Sequence, residues 1–439
     1  MGQRASLARQ WRHAVPRLME ATSQPRLTNK WIVLLLLLGI SVFNYGDRYL
    51  LAGLVEPIKA EFSVSDGFMG LLLGPAFAVF YSILAIPFAI YADRHSRINI
   101  ICAGCVIWSL FTVLGGFADS QYTLAAARVG VGVGEAAFQA PAFSLIASYF
   151  KPEQRGKAFA VMALSVYIGQ ILGYSGGPAI AAQSDWRMAF IVMGSAGFVV
   201  VALAWLLVKE PPHEKTSVKH PPLFDTFRQL IRVSSYRYMA IGMGLGVMSG
   251  IAFGFWGPTL FSRAYDMSQT EAGSAFGVAF TIPAFLGVIG FGALVDYLTK
   301  NGYGRALMLS AIALLFATLS IMGAIWASSV DHAVLWAIPA GLLGGGWSVG
   351  LYASLQYILP DRMRATGTAL AMLIVNILGF VLGPWIAGGI SDYFGADATG
   401  IRQGLTVVVP VGIVGALLIW LGAKTLEQDQ SLLADKEGD

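Results

Sequence analysis

The sequence predicts an all-α membrane protein in which twelve transmembrane helices form two pseudo-symmetric bundles of six. Three observations predict it. Hydrophobic residues fill 56% of the 439 positions and charged residues only 12%, more apolar surface than a water-soluble core can hide. Apolar runs of about 20 residues, enough to cross about 30 Å of hydrocarbon as a helix, recur along the whole chain. Landmarks also repeat at a nearly fixed offset: Pro57 and Pro258 (201 apart), Asp93 and Asp296 (203), Pro178 and Pro384 (206).

Taken in order, the apolar runs place helices at 31 to 53, 67 to 91, 98 to 118, 122 to 149, 157 to 182 and 187 to 208. A second set follows at 238 to 262, 271 to 295, 306 to 328, 333 to 359, 365 to 391 and 403 to 423. These divide the chain into a segment 1 to 30, a bundle 31 to 208, a linker 209 to 237, a bundle 238 to 424 and a tail 425 to 439. The linker is charged and proline-rich, K-E-P-P-H-E-K-T-S-V-K-H-P-P, a composition suited to spacing two bodies rather than packing.

Lys and Arg are retained on the cytoplasmic side during insertion. With twelve spans, 23 of the 29 fall on the face that carries both chain ends, and only Lys59, Arg187, Arg263 and Arg402 on the other. Both termini are therefore expected in the cytoplasm, in a plasma or bacterial inner membrane. The net charge of +4 reflects this bias toward anionic membrane lipid and implies no nucleic-acid partner. Residues 5 to 19 are basic and partly apolar, and read either as a helix flat on the inner leaflet or as a disordered tail. No cleavable signal peptide is expected there, since the first 30 residues lack an apolar core.

Several motifs are absorbed by the fold. Cys102 and Cys105 form C-x-x-C inside the third span without further ligands, so they read as small apolar fillers rather than a redox or zinc site. G-V-G-V-G-E-A at 130 to 136 follows no strand and reads as close helix packing. No G-x-x-x-x-G-K-[ST] occurs, which argues against ATP as the energy source. No metal cluster or catalytic motif is apparent, so no cofactor and no enzymatic activity are expected. Parallel halves of Gly- and Pro-rich helices are the build of alternating-access transporters.

The informative residues are charges that the hydrocarbon should exclude, because a mid-membrane charge survives only when paired or facing an aqueous cavity. Four occur: Asp47 and Arg48 in the first helix, Arg128 and Glu135 in the fourth. Adjacent positions point about 100° apart, so Asp47 and Arg48 cannot satisfy one another. Arg128 and Glu135, seven positions apart, lie on one face about 10 Å apart along the axis. Depth then favours crossed pairs, Asp47 with Arg128 and Arg48 with Glu135, around a shared cavity. In the functional reading Glu135, with Asp47, changes protonation, while Arg48 and Arg128 hold an anionic group on the substrate. The alternative is a static network that only fixes packing. None of the five histidines falls in a span, which leaves the carboxylates as proton carriers.

Apart from Glu271 at the very start of the 271 to 295 span, no charge falls inside the C-terminal spans; they carry Phe253, Phe255, Trp256, Trp347 and Tyr352. Cations on one wall and aromatic groups on the other suit an amphipathic substrate. Its anionic or zwitterionic head would meet the N-terminal half, and Trp256, Trp347 and Tyr352 would meet its tail, with Glu135 also at the substrate site.

Certain stretches match a known family. A-I-Y-A-D-R-H-S-R-I at 89 to 98 resembles the G-x-L-A-D-R-x-G-R-R loop of the major facilitator superfamily, departing at Ala89, Tyr91, Ser96 and Ile98. G-A-L-V-D-Y at 292 to 297 is similar to its second copy, K-P-E-Q-R-G-K-A at 151 to 158 to the fifth-helix entry, and G-x-x-x-G-x-x-x-G-P at 169 to 178 to the fifth-helix glycine motif. N-Y-x-D-R-Y at 44 to 49, R-V-G-V-G-V-G-E-A-A-F at 128 to 138 and D-W-R-x-A-F at 185 to 190 resemble the Spinster family, which is associated with sphingosine-1-phosphate export and lysophospholipid movement.

The resemblance implies the major facilitator fold, no cofactor, and Arg48 and Glu135 as the coupled substrate and proton pair. It also suggests a cytoplasmic latch of Asp93, Arg94, Arg97 and Arg155, with Asp296 in the second copy, holding the outward-open state shut below. Retention of cations on the inner side explains the arginines of that latch, but not Asp93, which is expected to be buried. The expected partners are an amphipathic lipid-like substrate, protons and membrane lipids, with the chain acting as a monomer. Two alternatives stand beside this reading: a multidrug or organic-anion exporter with the same cavity, and a non-transporting membrane receptor.

Overall fold

The computed structural model describes residues 28–211, 223–360 and 363–435. Twelve helices in it are long and apolar enough to cross a membrane. They are α1 (Lys30–Gly53), α2 (Asp66–Ala92), α3 (Arg97–Gly116), α4 (Gln121–Tyr149), α5 (Pro152–Gln183), α6 (Trp186–Leu207), α7 (Ser234–Tyr265), α8 (Gln269–Leu298), α9 (Tyr303–Ile325), α10 (Val330–Ile358), α11 (Thr366–Tyr393) and α12 (Ala398–Ser431). Each overlays one expected span. The last helix runs on to Asp435, into the expected tail, and the linker contains a short helix Leu223–Leu230. The basic stretch 5 to 19 and the linker core 212 to 222 lie outside the described residues.

Helix starts follow the local chemistry of the first orphaned N–H groups. Asn29 accepts from Trp31 N–H before α1, Ser96 from Asn99 N–H before α3, and Ser329 from His332 N–H before α10. Reciprocal boxes, Ser120 with Thr123 and Ser268 with Glu271, open α4 and α8. The polar cap thus sits immediately ahead of the apolar run in each case.

Prolines set where the helices loosen. A π-helical stretch Leu172–Gly176 precedes Gly177-Pro178 in α5, another, Asn376–Leu382, precedes Gly383-Pro384 in α11, and a third, Gly277–Thr281, precedes Pro283 in α8. In α2 the ladder breaks at Gly74 before Pro75. Proline supplies no N–H and crowds the carbonyl one turn back, so the preceding turn widens. The same device at matching places is direct evidence that one six-helix unit occurs twice.

The halves meet through α1 against α7, α2 against α11 and α5 against α8. Contact is close enough that a Cβ on Gly273 would fall 1.9 Å from the Tyr174 carbonyl oxygen, so only glycine fits there. Even parity places the start of α1 and the end of α12 on one face, here the terminal face; the opposite one is the distal face. Lys30 bonding Gln154, and Asp429 accepting from Ser235, tie chain ends to helix starts at the terminal face. Among the described residues, the hydrogen bonds between the halves lie toward the distal face, starting at Tyr174 O–H to the Gly254 carbonyl (2.7 Å).

Candidate functional site

The first helix carries its charges where α5 lets it approach. A Cβ on Gly169 would lie 2.6 Å from the Tyr45 Cβ, so the α5 glycine row fixes the turn holding Asn44, Tyr45, Asp47 and Arg48. On the other flank, α4 is pressed in by its own glycines: a Cβ on Gly132 would meet the Phe77 carbonyl at 2.5 Å and one on Gly134 the Trp108 nitrogen at 2.5 Å. This is the packing role expected for G-V-G-V-G. The first segment of α4 ends at Glu135 and helix resumes at Gln139, because Pro141 cannot donate to the carbonyl four residues back.

Arg48 and Glu135 form the expected pair: the guanidinium Nε donates to Glu135 Oε2 at 2.6 Å. A further N–H of Arg48 reaches Asn44 Oδ1 at 3.2 Å. Three rings surround the guanidinium, Tyr45 at 5.1 Å, Phe77 at 4.8 Å and Tyr81 at 4.7 Å from its carbon, and each offers a π-face to the cation. Both partners are buried, Arg48 8% exposed and Glu135 0%.

The second crossed pair is not closed. Arg128 reaches only the main-chain carbonyl of Asp47, at 3.4 Å, while the Asp47 carboxylate accepts the Thr112 hydroxyl of α3. Thr112 supplies from α3 the hydrogen bond that Arg128 was expected to supply from α4. Four buried polar atoms in this cluster have no hydrogen-bond partner: Asn44 Nδ2, Asp47 Oδ1, Arg128 Nε and Glu135 Oε1. Buried polar groups are ordinarily satisfied, so their concentration here marks a place built for something besides packing.

The cavity is adjacent to these charges but does not include them. A central space of about 420 Å³ lies between the halves, and its walls include Tyr45 and Tyr49 of α1, Gln170 of α5, Trp347 and Tyr352 of α10 and Asn376 of α11. Asp47, Arg48, Arg128 and Glu135 are absent from that lining, which corrects the expectation that all four ring a shared hollow. Trp347 and Tyr352 are where the sequence suggested. Trp256 is not: it is fully buried nearer the distal face, its indole N–H donating to the Pro384 carbonyl at 2.9 Å. It lies fewer than two turns along α7 from the lining residues Gly250 and Ile251.

The distal face is held by a network that sequence reasoning missed. Asp66 is fully buried; its carboxylate accepts two hydrogen bonds from Arg263 (2.6 and 2.8 Å), one from Lys59 (2.5 Å) and one from Ser391 (2.6 Å). Arg263 also pairs with Glu56 at 2.7 Å. Asp392 accepts from the N–H groups of Asp66 and Gly67, both at 2.7 Å, capping α2 from the other half. The available signal was the isolation of Lys59 and Arg263 among the few cations on that face.

At the terminal face Arg97 binds Glu210 at 2.6 Å and the Ser144 carbonyl at 3.1 Å, and Arg155 caps carbonyls of Ala147 and Phe150. Burial alone would raise the Glu210 carboxyl, but hydrogen bonds from Arg97 and Ser96 hold it below the ordinary glutamate range. Asp93, expected to be buried, is exposed with Arg94 and Asp296. Arg97 and Arg155 therefore hold their own half together here.

The family model described as Major Facilitator Superfamily matches residues 37–380. Among curated proteins, an MFS-type efflux pump of Mycolicibacterium smegmatis is 29% identical, covering 91% of this chain and 94% of that protein. Protein spinster homolog 1 of Xenopus laevis is 29% identical over 91% of this chain and 81% of its own length. Among solved structures, a bacterial homologue of the human lysosomal transporter Spinster, inward-facing and unoccupied, superposes with a TM-score of 0.81 at 26% identity, covering 93% of this chain and 99% of that one. The family match, the twelve spans and a cavity between duplicated halves agree: this chain is a Spinster-like membrane transporter, not an enzyme, and belongs to the Major Facilitator Superfamily.

Proposed function

We propose that this transporter moves an amphipathic, anionic or zwitterionic lipid-like substrate by alternating access, coupled to protons through Glu135. The observation that carries the reading is the buried Arg48–Glu135 pair, with unpartnered polar atoms around it, next to an uncharged aromatic cavity. An anionic headgroup that takes Arg48 removes the cation that keeps Glu135 charged, so Glu135 binds a proton. Conversely, a protonated Glu135 leaves Arg48 available. Substrate and proton then favour one another in the same half-cycle. Asp47 and Arg128, with their own unpartnered atoms, make up the second proton and anion pair. The tail lies along Trp347 and Tyr352.

The basic bias of the terminal face supports a cytoplasmic location for it, which makes the distally sealed conformation inward-facing. In this reading Asp93, Arg94, Arg97, Arg155 and Asp296 engage across the halves only when the transporter opens the other way, as an alternating gate requires. The protein works as a monomer, since each chain carries both halves.

A second reading, export of varied amphiphiles, is favoured by the similarity to an efflux pump and by a lining with no charged residue. Uptake of labelled lysolipid by proteoliposomes under an imposed pH gradient, run beside a panel of cationic and neutral drugs, separates the two. Lysolipid accumulation that collapses when the gradient is removed supports the lipid reading. Drug movement with indifference to lysolipid overturns it.

A further inference from the structure

The Tyr45 side chain faces both the central cavity and the charged pair. Of the three rings around Arg48, only Tyr45 also lines the central cavity; Phe77 and Tyr81 do not. Tyr45 is partly exposed, whereas its neighbours Asn44, Asp47 and Arg48 are buried. Behind it, Glu135 has no exposed surface at all. Of the three rings on Arg48, Tyr45 is thus the one that a ligand in the cavity meets first.

We propose that Tyr45 is a positioning residue, an aromatic lid that substrate pushes aside to reach Arg48. This inference rests on the proposed use of Arg48 as the headgroup anchor and adds the step that admits substrate to it. The ring holds the cation by its π-face when the cavity is empty. An anionic oxygen donates nothing but accepts charge-assisted hydrogen bonds from the guanidinium, and it replaces the ring when the lid turns. Toward α5 the Tyr45 backbone has no room to shift, because even a Cβ on Gly169 would lie 2.6 Å from the Tyr45 Cβ. The lid turns about its side-chain torsions. In the closed position the lid also keeps cavity water away from Glu135, so protons do not exchange without substrate.

A thiol reporter tests the lid independently of transport. Asn44 lies against Arg48 and is 1% exposed, so Asn44→Cys, in a background carrying Cys102→Ala and Cys105→Ala, places a thiol behind Tyr45. Purified protein in lipid nanodiscs is treated with a water-soluble methanethiosulfonate, alone and with lysophosphatidylcholine. The labelling rate is expected to rise at least about tenfold with Tyr45→Ala, to stay unchanged with Tyr45→Phe, and to rise on lysolipid addition only while the ring is present. Equal rates for the reporter background, its Tyr45→Phe form and its Tyr45→Ala form, each checked for monodispersity, would overturn the lid. A tenfold rise with Tyr45→Ala but none with lysolipid would retain the lid and count against the lipid reading instead.

Discussion

A carboxylate with no exposed surface stays charged only by virtue of its partner, and Glu135 has one cation within bonding distance. Removing one member of a buried pair leaves the other uncompensated at a cost of about 3–5 kcal/mol. Arg48→Ala is therefore expected to lower thermal stability and to abolish both proton-driven uptake and substrate counterflow. Glu135→Gln keeps the volume and a hydrogen-bonding group, so counterflow survives while proton-driven accumulation is lost; parallel proteoliposome assays read both. The four charges were legible in the sequence because each is costly in hydrocarbon, and spacing with depth selected two crossed pairs, of which Arg48 with Glu135 closes. What escaped was the neutral surround. Thr112, Phe77 and Tyr81 come from other helices and carry no charge to single them out, yet Thr112 decides why Asp47 does not pair with Arg128.

At the scale of helices, polar caps and apolar runs marked nearly every boundary, and the repeated prolines announced the duplicated unit. The widened turns before those prolines were not legible, since they depend on how each helix settles against its neighbours. Glu210 shows the same division. It follows α6 by three residues, yet it grips the start of α3, accepting from Arg97, Ser96 and the Arg97 and Ile98 N–H groups. Its carboxyl titrates below the ordinary 4.5. A depressed folded value means the stabilisation is present above 4.5 and lost as pH falls through the lower folded value. Thermal denaturation should therefore show Glu210→Gln less stable than the parent at pH 7, with the difference shrinking as pH falls below the ordinary 4.5. A constant difference down to pH 3 would contradict this anchor.

In the whole molecule, ion pairs join the halves at the distal face, while at the terminal face Arg97 and Arg155 serve their own half. Asp66 and Arg263 belong to different halves and are joined by two hydrogen bonds, and bonds to charged groups contribute about 1.5–3 kcal/mol each. Losing about 2 kcal/mol shifts a two-state equilibrium roughly 30-fold. Arg263→Ala is thus expected to populate the distally open state, read as a longer spin-label distance between the starts of α2 and α8; an unchanged distribution would relieve the network of a gating role. The two halves and the cavity between them could be read from the chain, but not which face is sealed, because that depends on pairings between residues some 200 to 330 positions apart, such as Asp66 with Arg263 and with Asp392. The coupling itself is tested most directly by proton uptake on adding lysophosphatidylcholine to purified protein in weak buffer. The expected result is about one proton taken up per substrate bound by the parent and none by Glu135→Gln; equal uptake by both would contradict Glu135 as the coupling group.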